Sequence, residues 1–157
     1  MTTTATNARD GHEEHEEHEE HPELLLERLV NHTAGARHAL LLSRDGLKLS
    51  LSPGLSVDQA DQLAAIASGI QALAHGASVE FGDGSGGVRQ SMTEFPGGIL
   101  FIVGAGHGAH LAVVGDEAAD AGVIGFRMNE LVEHIGDFLR EDPRAGSRAA
   151  AAGKLSA

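Results

Sequence analysis

The chain has 157 residues, 41% of them hydrophobic, so we expect one domain with a substantial core. Its formal net charge of −12 at pH 7 and its aromatic content of 3% argue against binding to nucleic acid or to an anionic membrane surface. Cysteine is absent, which excludes disulfide bonds, thiolate metal sites and cysteine nucleophiles.

The acidity is concentrated near the N-terminus, where residues 10–23 contain eight Asp or Glu and no Lys or Arg. The run HEEHEEHEEH within this stretch contains His12, His15, His18 and His21. On a helix, histidines three residues apart would spread around half of the circumference instead of forming one metal site. We therefore predict a disordered acidic tail over residues 1–21, with metal binding by its histidines as the alternative.

Three elements are predicted in the first half of the chain. A proline at the first turn and the leucines that follow it predict a helix over residues 23–33. The dipeptide Asp45-Gly46 is typical of a tight hairpin turn, and it separates strands predicted over residues 37–43 and 47–52. In the second strand Leu alternates with Lys or Ser, so we expect its Lys and Ser side chains to face solvent.

The second helix is predicted to begin with a capping box at Ser56 and Gln59 and to end near residue 77. Its stripe of large residues consists of Leu63, Ile66, Ile70, Leu73 and Ala77. Its stripe of small residues consists of Ala65, Gly69, Ala72 and Gly76. A helix with so little polar surface is expected to be covered on two sides. We expect the sheet to cover the large stripe, and a helix of a second subunit to cover the small one.

Three strands without an intervening helix follow. A glycine-rich loop over residues 82–87 leads to a polar strand over residues 88–95, whose composition suits the edge of a sheet. Two apolar strands, over residues 99–103 and 109–114, are joined by the turn sequence GAGHG.

The last helix is predicted from a stripe of apolar residues at helical spacing. The stripe consists of Ile124, Met128, Leu131, Ile135 and Leu139. Asp116 or Asp120 is the predicted N-cap, and Pro143 ends the helix. Residues 144–157 are rich in Ala, Gly and Ser and are predicted to be a flexible tail, which leaves residues 22–143 as the folded domain.

No catalytic or ligand-binding motif is recognisable in the sequence. The loop GDGSGG has the glycine content of a phosphate-binding loop but lacks the residues of a P-loop and the spacing of a dinucleotide site. His107 and His110 flank a turn without a third ligand, and His75 and His134 are lone helical residues. We therefore predict a protein that is not an enzyme, with no catalytic residues, no cofactor and no metal.

A membrane segment is not predicted either. The first residues lack the basic and apolar regions of a signal peptide, and the apolar stretch over residues 97–115 is interrupted by glycines and histidines. We expect a cytoplasmic protein with no integral membrane segment, with recruitment to a membrane by its partners as an option.

Four stretches of the chain carry a resemblance to a known family. They are GARHALLLSRDGLKLSLSPGLS, ADQLAAIASGIQALAHGAS, GGVRQSMTEFPGGILFIVGAGHGAHLAVV and VIGFRMNELVEHIGDFL. Together they resemble the roadblock/dynein-light-chain family over about residues 23–143. The DG hairpin, the ASG in the second helix and the VRQ of the third strand are most similar to the actinobacterial roadblock proteins of conservon operons. The HEE-repeat tail is not part of this resemblance.

The resemblance implies an α+β fold, an α/β/α sandwich of the roadblock/longin type. The implied element order is α-β-β-α-β-β-β-α, with a five-stranded antiparallel sheet. It also implies a homodimer in which the second helices pack together and the third strands pair. The expected interface residues are Ala65, Gly69, Ala72, Gly76, Arg89, Ser91 and Thr93. The small-residue stripe and the polar edge strand favour the same interface independently.

Members of this family bind or regulate Ras-like small GTPases. The first hypothesis is therefore a non-enzymatic regulatory homodimer that binds such a GTPase, couples it to a signalling complex and can modulate GTP hydrolysis. A sensor histidine kinase and a small adaptor protein are further partners implied by the conservon resemblance. Arg37, Arg89 and Arg127 are the candidates for an arginine that acts on the GTPase. The alternatives are an assembly scaffold without effect on GTP turnover and a metal-handling protein that uses the histidine tail.

Overall fold

The computed structural model describes residues 21–141. Its elements are α1 (Pro22–His32), β1 (Ala36–Leu42), β2 (Lys48–Leu51), α2 (Val57–Phe81), β3 (Gln90–Phe95), β4 (Gly98–Gly106), β5 (Ala109–Gly115) and α3 (Ala121–Glu141). This order confirms the predicted α-β-β-α-β-β-β-α arrangement. His12, His15, His18 and the predicted C-terminal tail lie outside the described residues. Over residues 21–141 no helix is long and apolar enough to cross a membrane.

The five strands form one antiparallel sheet in the order β2-β1-β5-β4-β3. The polar strand β3 lies at an edge, as predicted, although it begins two residues later than expected. β4 and β5 are joined by His107 and Gly108, whose φ angles are 53° and 78°. Positive φ at both positions is what a two-residue type I′ hairpin turn requires, and this turn matches the natural twist of the strands.

Helices α1 and α3 cover one face of the sheet and form the larger core. The predicted stripe of α3 is confirmed, because Ile124, Met128, Leu131, Ile135 and Leu139 are all buried. The same cluster contains three leucines of α1 and inward-facing residues of β4 and β5 such as Phe101 and Leu111. Two amphipathic helices are thus docked side by side on the strands that form the centre of the sheet.

Helix α2 alone covers the other face, and the prediction that its large stripe contacts the sheet is right only for Leu63, which is buried, and Ile70, which is partly buried. Ile66, Leu73 and Ala77 are exposed. The other apolar residues of the helix that contact the sheet are three alanines, Ala60, Ala64 and Ala67. Small helix residues fit there because the strand residues on this face are large.

The strand residues beneath α2 are large and fully or almost fully buried. They are Leu40, Leu42, Leu100 and Ile102. Because these side chains already fill the layer between sheet and helix, small residues on α2 are needed to keep the packing dense without overlap.

The predicted solvent-facing side of β2 is also wrong. Ser50 and Ser52 are buried, and Ser52 Oγ accepts a hydrogen bond from the backbone N–H of Ala39 at 2.9 Å. The register between β1 and β2 shifts at Leu49, which is the extra residue of a β-bulge. The bulge interrupts the alternation, so Leu49 packs on the α1 side and Leu51 on the α2 side.

Local signals at the helix ends are confirmed. Ser56 and Gln59 form the predicted capping box of α2, which continues one turn beyond the predicted end. Of the two candidate caps for α3, Asp120 is the one used, because its Oδ1 accepts hydrogen bonds from the N–H groups of Gly122 and Val123 at 2.9 and 3.2 Å.

We expect Met128→Ala to lower the free energy of unfolding by about 2–5 kcal/mol, because it would leave a cavity at a position with 0% exposure. Urea denaturation followed by circular dichroism measures the change. Asn129→Ala, at the exposed neighbouring position of the same helix, is the control and should change stability by less than about 0.5 kcal/mol. Equal losses in the two variants would contradict the described core.

Candidate protein-binding surface

One face of α2 is apolar and exposed. Ile66 and Leu73 are 53% and 79% exposed, and Phe81 at the end of the helix is 88% exposed. Burying side chains of this size stabilises a protein by about 1.5–3 kcal/mol each, so they usually lie inside. Nothing within residues 21–141 covers them, and α2 therefore presents an apolar surface to other molecules.

The small residues of α2 lie near the centre of this exposed face. With a rotation of about 100° per residue, Gly69 is nearly opposite the arc formed by Ala60, Ala64 and Ala67. A Cβ added at Gly69 or Gly76 would find no atom within 4 Å. Packing within the chain therefore does not explain why either position is glycine.

Strand β3 borders this face and has a free edge. It pairs only with β4 among the described strands, so one row of its backbone N–H and C=O groups lacks a strand partner there. Ser91 faces α2, since its Oγ donates a hydrogen bond to Gln71 Oε1 at 2.8 Å. Thr93 lies on the same side because strand side chains alternate. Arg89, just before the strand, is exposed.

We call the exposed face of α2 together with β3 the α2–β3 surface. Its residues are Ala65, Ile66, Gly69, Ala72, Leu73, Gly76, Arg89, Ser91 and Thr93. Six of the seven residues of the predicted dimer interface are exposed in the structure, and Ser91 is half-buried. Dimerisation itself stays a prediction.

A polar chain beneath this surface was not found by sequence reasoning. Gln71 is only 6% exposed and bridges Ser91 and His110, with its Nε2 3.4 Å from His110 Nδ1. Since the Gln71 amide oxygen accepts from Ser91, its NH₂ group faces the imidazole, which accepts through Nδ1 and carries its proton on Nε2. The sequence did contain one hint of a buried polar contact, a glutamine in the uncharged middle of α2. Its partner His110 could not be identified because it lies 39 positions away in the chain.

Burial and a neighbouring cation both favour the neutral form of His110. Burial is the main cause that lowers the pKa of His110 below its usual 6.5, and the positive charge of Arg44 lowers it further. Burial likewise lowers the pKa of His38, with Arg37 as the second cause. A neutral His110 is the form that accepts the hydrogen bond from Gln71.

The glycine-rich loop after α2 is held by hydrogen bonds within the chain. The side chain and backbone N–H of Ser85 donate to Asp83 and lower the pKa of its carboxyl group. His75 Nδ1 lies 2.9 Å from the carbonyl oxygen of Gly86, so His75 donates there. These contacts fit the predicted role of the loop as a connection into an edge strand.

The three candidate arginines differ in their surroundings. Arg37 pairs with Asp116 at 3.2 Å, and Arg127 pairs with Glu130 at 3.2 Å. Arg89 has no ion pair or hydrogen bond with another residue of the described range. Residues 21–141 also contain no group of three or more His, Asp or Glu side chains arranged to hold a metal ion.

A family model described as the Roadblock/LC7 domain matches residues 23–115, more than half of the chain. The chain belongs to the Roadblock/LC7 domain family. The predicted family is thereby confirmed, and so is the predicted fold, because solved Roadblock/LC7 domains share it.

Two of these solved structures come from Streptomyces avermitilis. One Roadblock/LC7 domain is 41% identical, covers 75% of this chain and 97% of its own, and superposes with a TM-score of 0.72. The other is 40% identical, covers 71% of this chain and 94% of its own, and has a TM-score of 0.59. Gliding protein MglB from Thermus thermophilus is 25% identical, covers 75% and 87%, and has a TM-score of 0.66. A search of curated proteins gives no match.

The Roadblock/LC7 domain should lose stability on acidification. Because the pKa values of folded His38 and His110 lie below 6.5, the unfolded chain takes up more protons as the pH falls through that value. The contribution of these two histidines to the free energy of unfolding is complete above pH 6.5. It is lost as the pH drops towards their pKa values in the folded protein. Thermal unfolding between about pH 7.5 and 5.5 measures this loss.

His110→Gln should make this loss smaller, because glutamine does not titrate and still offers Gln71 a hydrogen-bond partner. His134→Gln at an exposed position of α3 is the matched control and should leave the pH dependence unchanged. The same pH dependence in wild type and in His110→Gln would contradict the assigned role of His110.

Proposed function

We propose that the protein is a non-enzymatic homodimer that binds a Ras-like small GTPase and couples it to other signalling proteins. The observation that carries the proposal is the α2–β3 surface, an apolar helix face beside a strand with a free edge. Both features are costly to leave in water, and a two-fold symmetric contact between two copies would cover both.

The α2 helices are the proposed centre of this dimer. Ile66 and Leu73 are seven residues apart, as are Gly69 and Gly76, and seven residues return nearly to the same line on a helix. In an antiparallel pair centred near position 71, Ile66 lies level with Gly76 of the partner subunit, and Leu73 with the partner subunit's Gly69. Each large side chain then fits the space above a glycine, and the helices approach closely.

Strand β3 supports the same symmetric arrangement. It lies on the free edge beside α2, and its Ser91 and Thr93 face the α2 side. An antiparallel pair of β3 strands would give the unpaired backbone groups hydrogen-bond partners and join the two sheets. Both contacts are compatible with one two-fold axis, so each strengthens the other.

A Ras-like GTPase is proposed as the partner of this dimer on the strength of family membership. The likeness to the MglB structure of Thermus thermophilus extends over most of both chains. Arg37, Arg89 and Arg127 remain the candidates for an arginine that accelerates GTP hydrolysis. Arg89 belongs to the proposed dimer contact, whereas Arg37 and Arg127 form exposed ion pairs with Asp116 and Glu130.

Gly69→Leu should convert the dimer into a monomer, because a leucine cannot fit a close helix contact. The folded monomer tolerates the change, as no atom lies within 4 Å of a Cβ at this position. Light scattering gives the molar mass. Gly136→Leu on α3 is the matched control, because a Cβ there is equally unobstructed, and this variant should stay dimeric. A Gly69→Leu variant that remains a dimer would contradict the proposed helix contact.

Affinity capture of the full-length protein from its native lysate, in GTP and in GDP, tests the partner. A small GTPase recovered with a preference for one nucleotide, and binding again as a purified protein, is the expected result. With that GTPase in hand, GTP turnover is measured with Arg37→Ala, Arg89→Ala and Arg127→Ala in turn, and unchanged turnover in all three would contradict an arginine supplied by this protein. Recovery of kinases or adaptors alone, with no GTPase in either nucleotide, would favour the assembly scaffold instead.

A further inference from the structure

A cavity of about 360 Å³ lies beside the α2–β3 surface, at the end of the sheet where β5 begins. Its walls are the second half of α2, the loop before β3, and the start of β5. The polar side chains lining it are Arg44, Ser68, Gln71, His75 and His110. This volume is in the range of small-molecule sites in proteins.

The side chains that line this cavity carry a positive charge, whereas the protein as a whole is acidic. The chain has 23 acidic residues against 11 Lys and Arg. Yet no Asp or Glu lines the cavity, and Arg44 is the one Lys or Arg among its lining residues. Arg44 makes no ion pair or hydrogen bond with another residue between 21 and 141. An arginine that lines a cavity without a carboxylate attracts anions into it.

The position of Arg44 is set by the neighbouring turn. A Cβ at Gly108 would lie 3.3 Å from Arg44 Cβ and 3.4 Å from its Cδ, so the aliphatic part of the arginine lies close against this turn. Gly108 also has a φ of 78°, which favours glycine. The turn between β4 and β5 therefore leaves room for the arginine stem and holds it beside His110.

His110 supplies a second donor. The Gln71 amide donates to Nδ1 of the imidazole, which leaves the proton on Nε2. Gln71 is itself held by Ser91 Oγ, which donates to its amide oxygen. The site thus combines a guanidinium, an imidazole N–H and the hydroxyl of Ser68, all of which can donate to an oxygen atom.

We propose that this cavity binds a small oxyanion, a carboxylate or a phosphate monoester, with Arg44 as the charged donor and His110 as a neutral one. Both ligand types present two oxygens to which a guanidinium can donate in parallel. The proposal does not depend on a GTPase partner. The cavity is, however, adjacent to the proposed dimer contact, because Ala72 lines it and belongs to the small stripe of α2.

Calorimetric titration of the full-length protein at fixed ionic strength tests the proposal. The probes are inorganic phosphate, glycerol phosphate and succinate, with sodium chloride as the blank. We expect saturable binding of at least one probe with a dissociation constant at or below about 1 mM. Amide chemical shifts in two-dimensional NMR should change around Ser68, Gly86 and His110. Preference for the phosphates or for succinate identifies the ligand type.

Arg44→Ala and the longer Arg44→Gln should both weaken binding by about 10- to 100-fold, the usual contribution of a hydrogen bond to a charged group. Arg140→Ala is the matched control, because it removes the same charge from an exposed position on α3 and should leave binding unchanged. Circular dichroism verifies that the variants fold. The proposal is overturned if no probe binds saturably, or if Arg44→Gln and Arg140→Ala have the same effect.

Discussion

The close approach of α2 to the sheet determines how the rest of the molecule is presented. Alanines at positions 60, 64 and 67 let the helix settle on strand residues that are themselves large. Most of the large buried side chains in this layer belong to the strands and not to the helix. The large residues Ile66 and Leu73 lie on the outer side of α2. The helix thus packs on the sheet mainly through small residues and presents large apolar residues on its outer face.

The two faces of the sheet are covered by helices to different extents. Two helices with strong apolar stripes cover one face, and a single helix with alanines covers the other. The less covered face carries the exposed helix, the free strand edge and the polar chain from Ser91 through Gln71 to His110. The face under α1 and α3 holds the larger core cluster, and the face under α2 the smaller one.

Sequence patterns predicted the elements well, because their signals are local. The spacing of Ile124, Met128 and Leu131 identifies a helix face without knowledge of the fold, and Ser56 marks a helix start by itself. The orientation of α2 could not be predicted in this way. Both of its faces are apolar, and the choice between them depends on side chains from strands far away in the chain. The bulge at Leu49 depends on how β2 pairs with β1, and the bridge from Gln71 to His110 joins residues 39 positions apart, so no pattern within β2 or α2 records either of them.

The two edges of the sheet are different, and this limits how copies of the chain can associate. β3 offers six residues of uninterrupted edge, whereas β2 has four residues and a bulge, with Lys48 tied to Asp61 of α2. Bulges and charged side chains discourage strands from adding to an edge. Growth through both edges would produce a fibre, but growth through β3 alone ends once two copies have met. The short β2 with its bulge is thus the edge less suited to pairing with a strand of another copy.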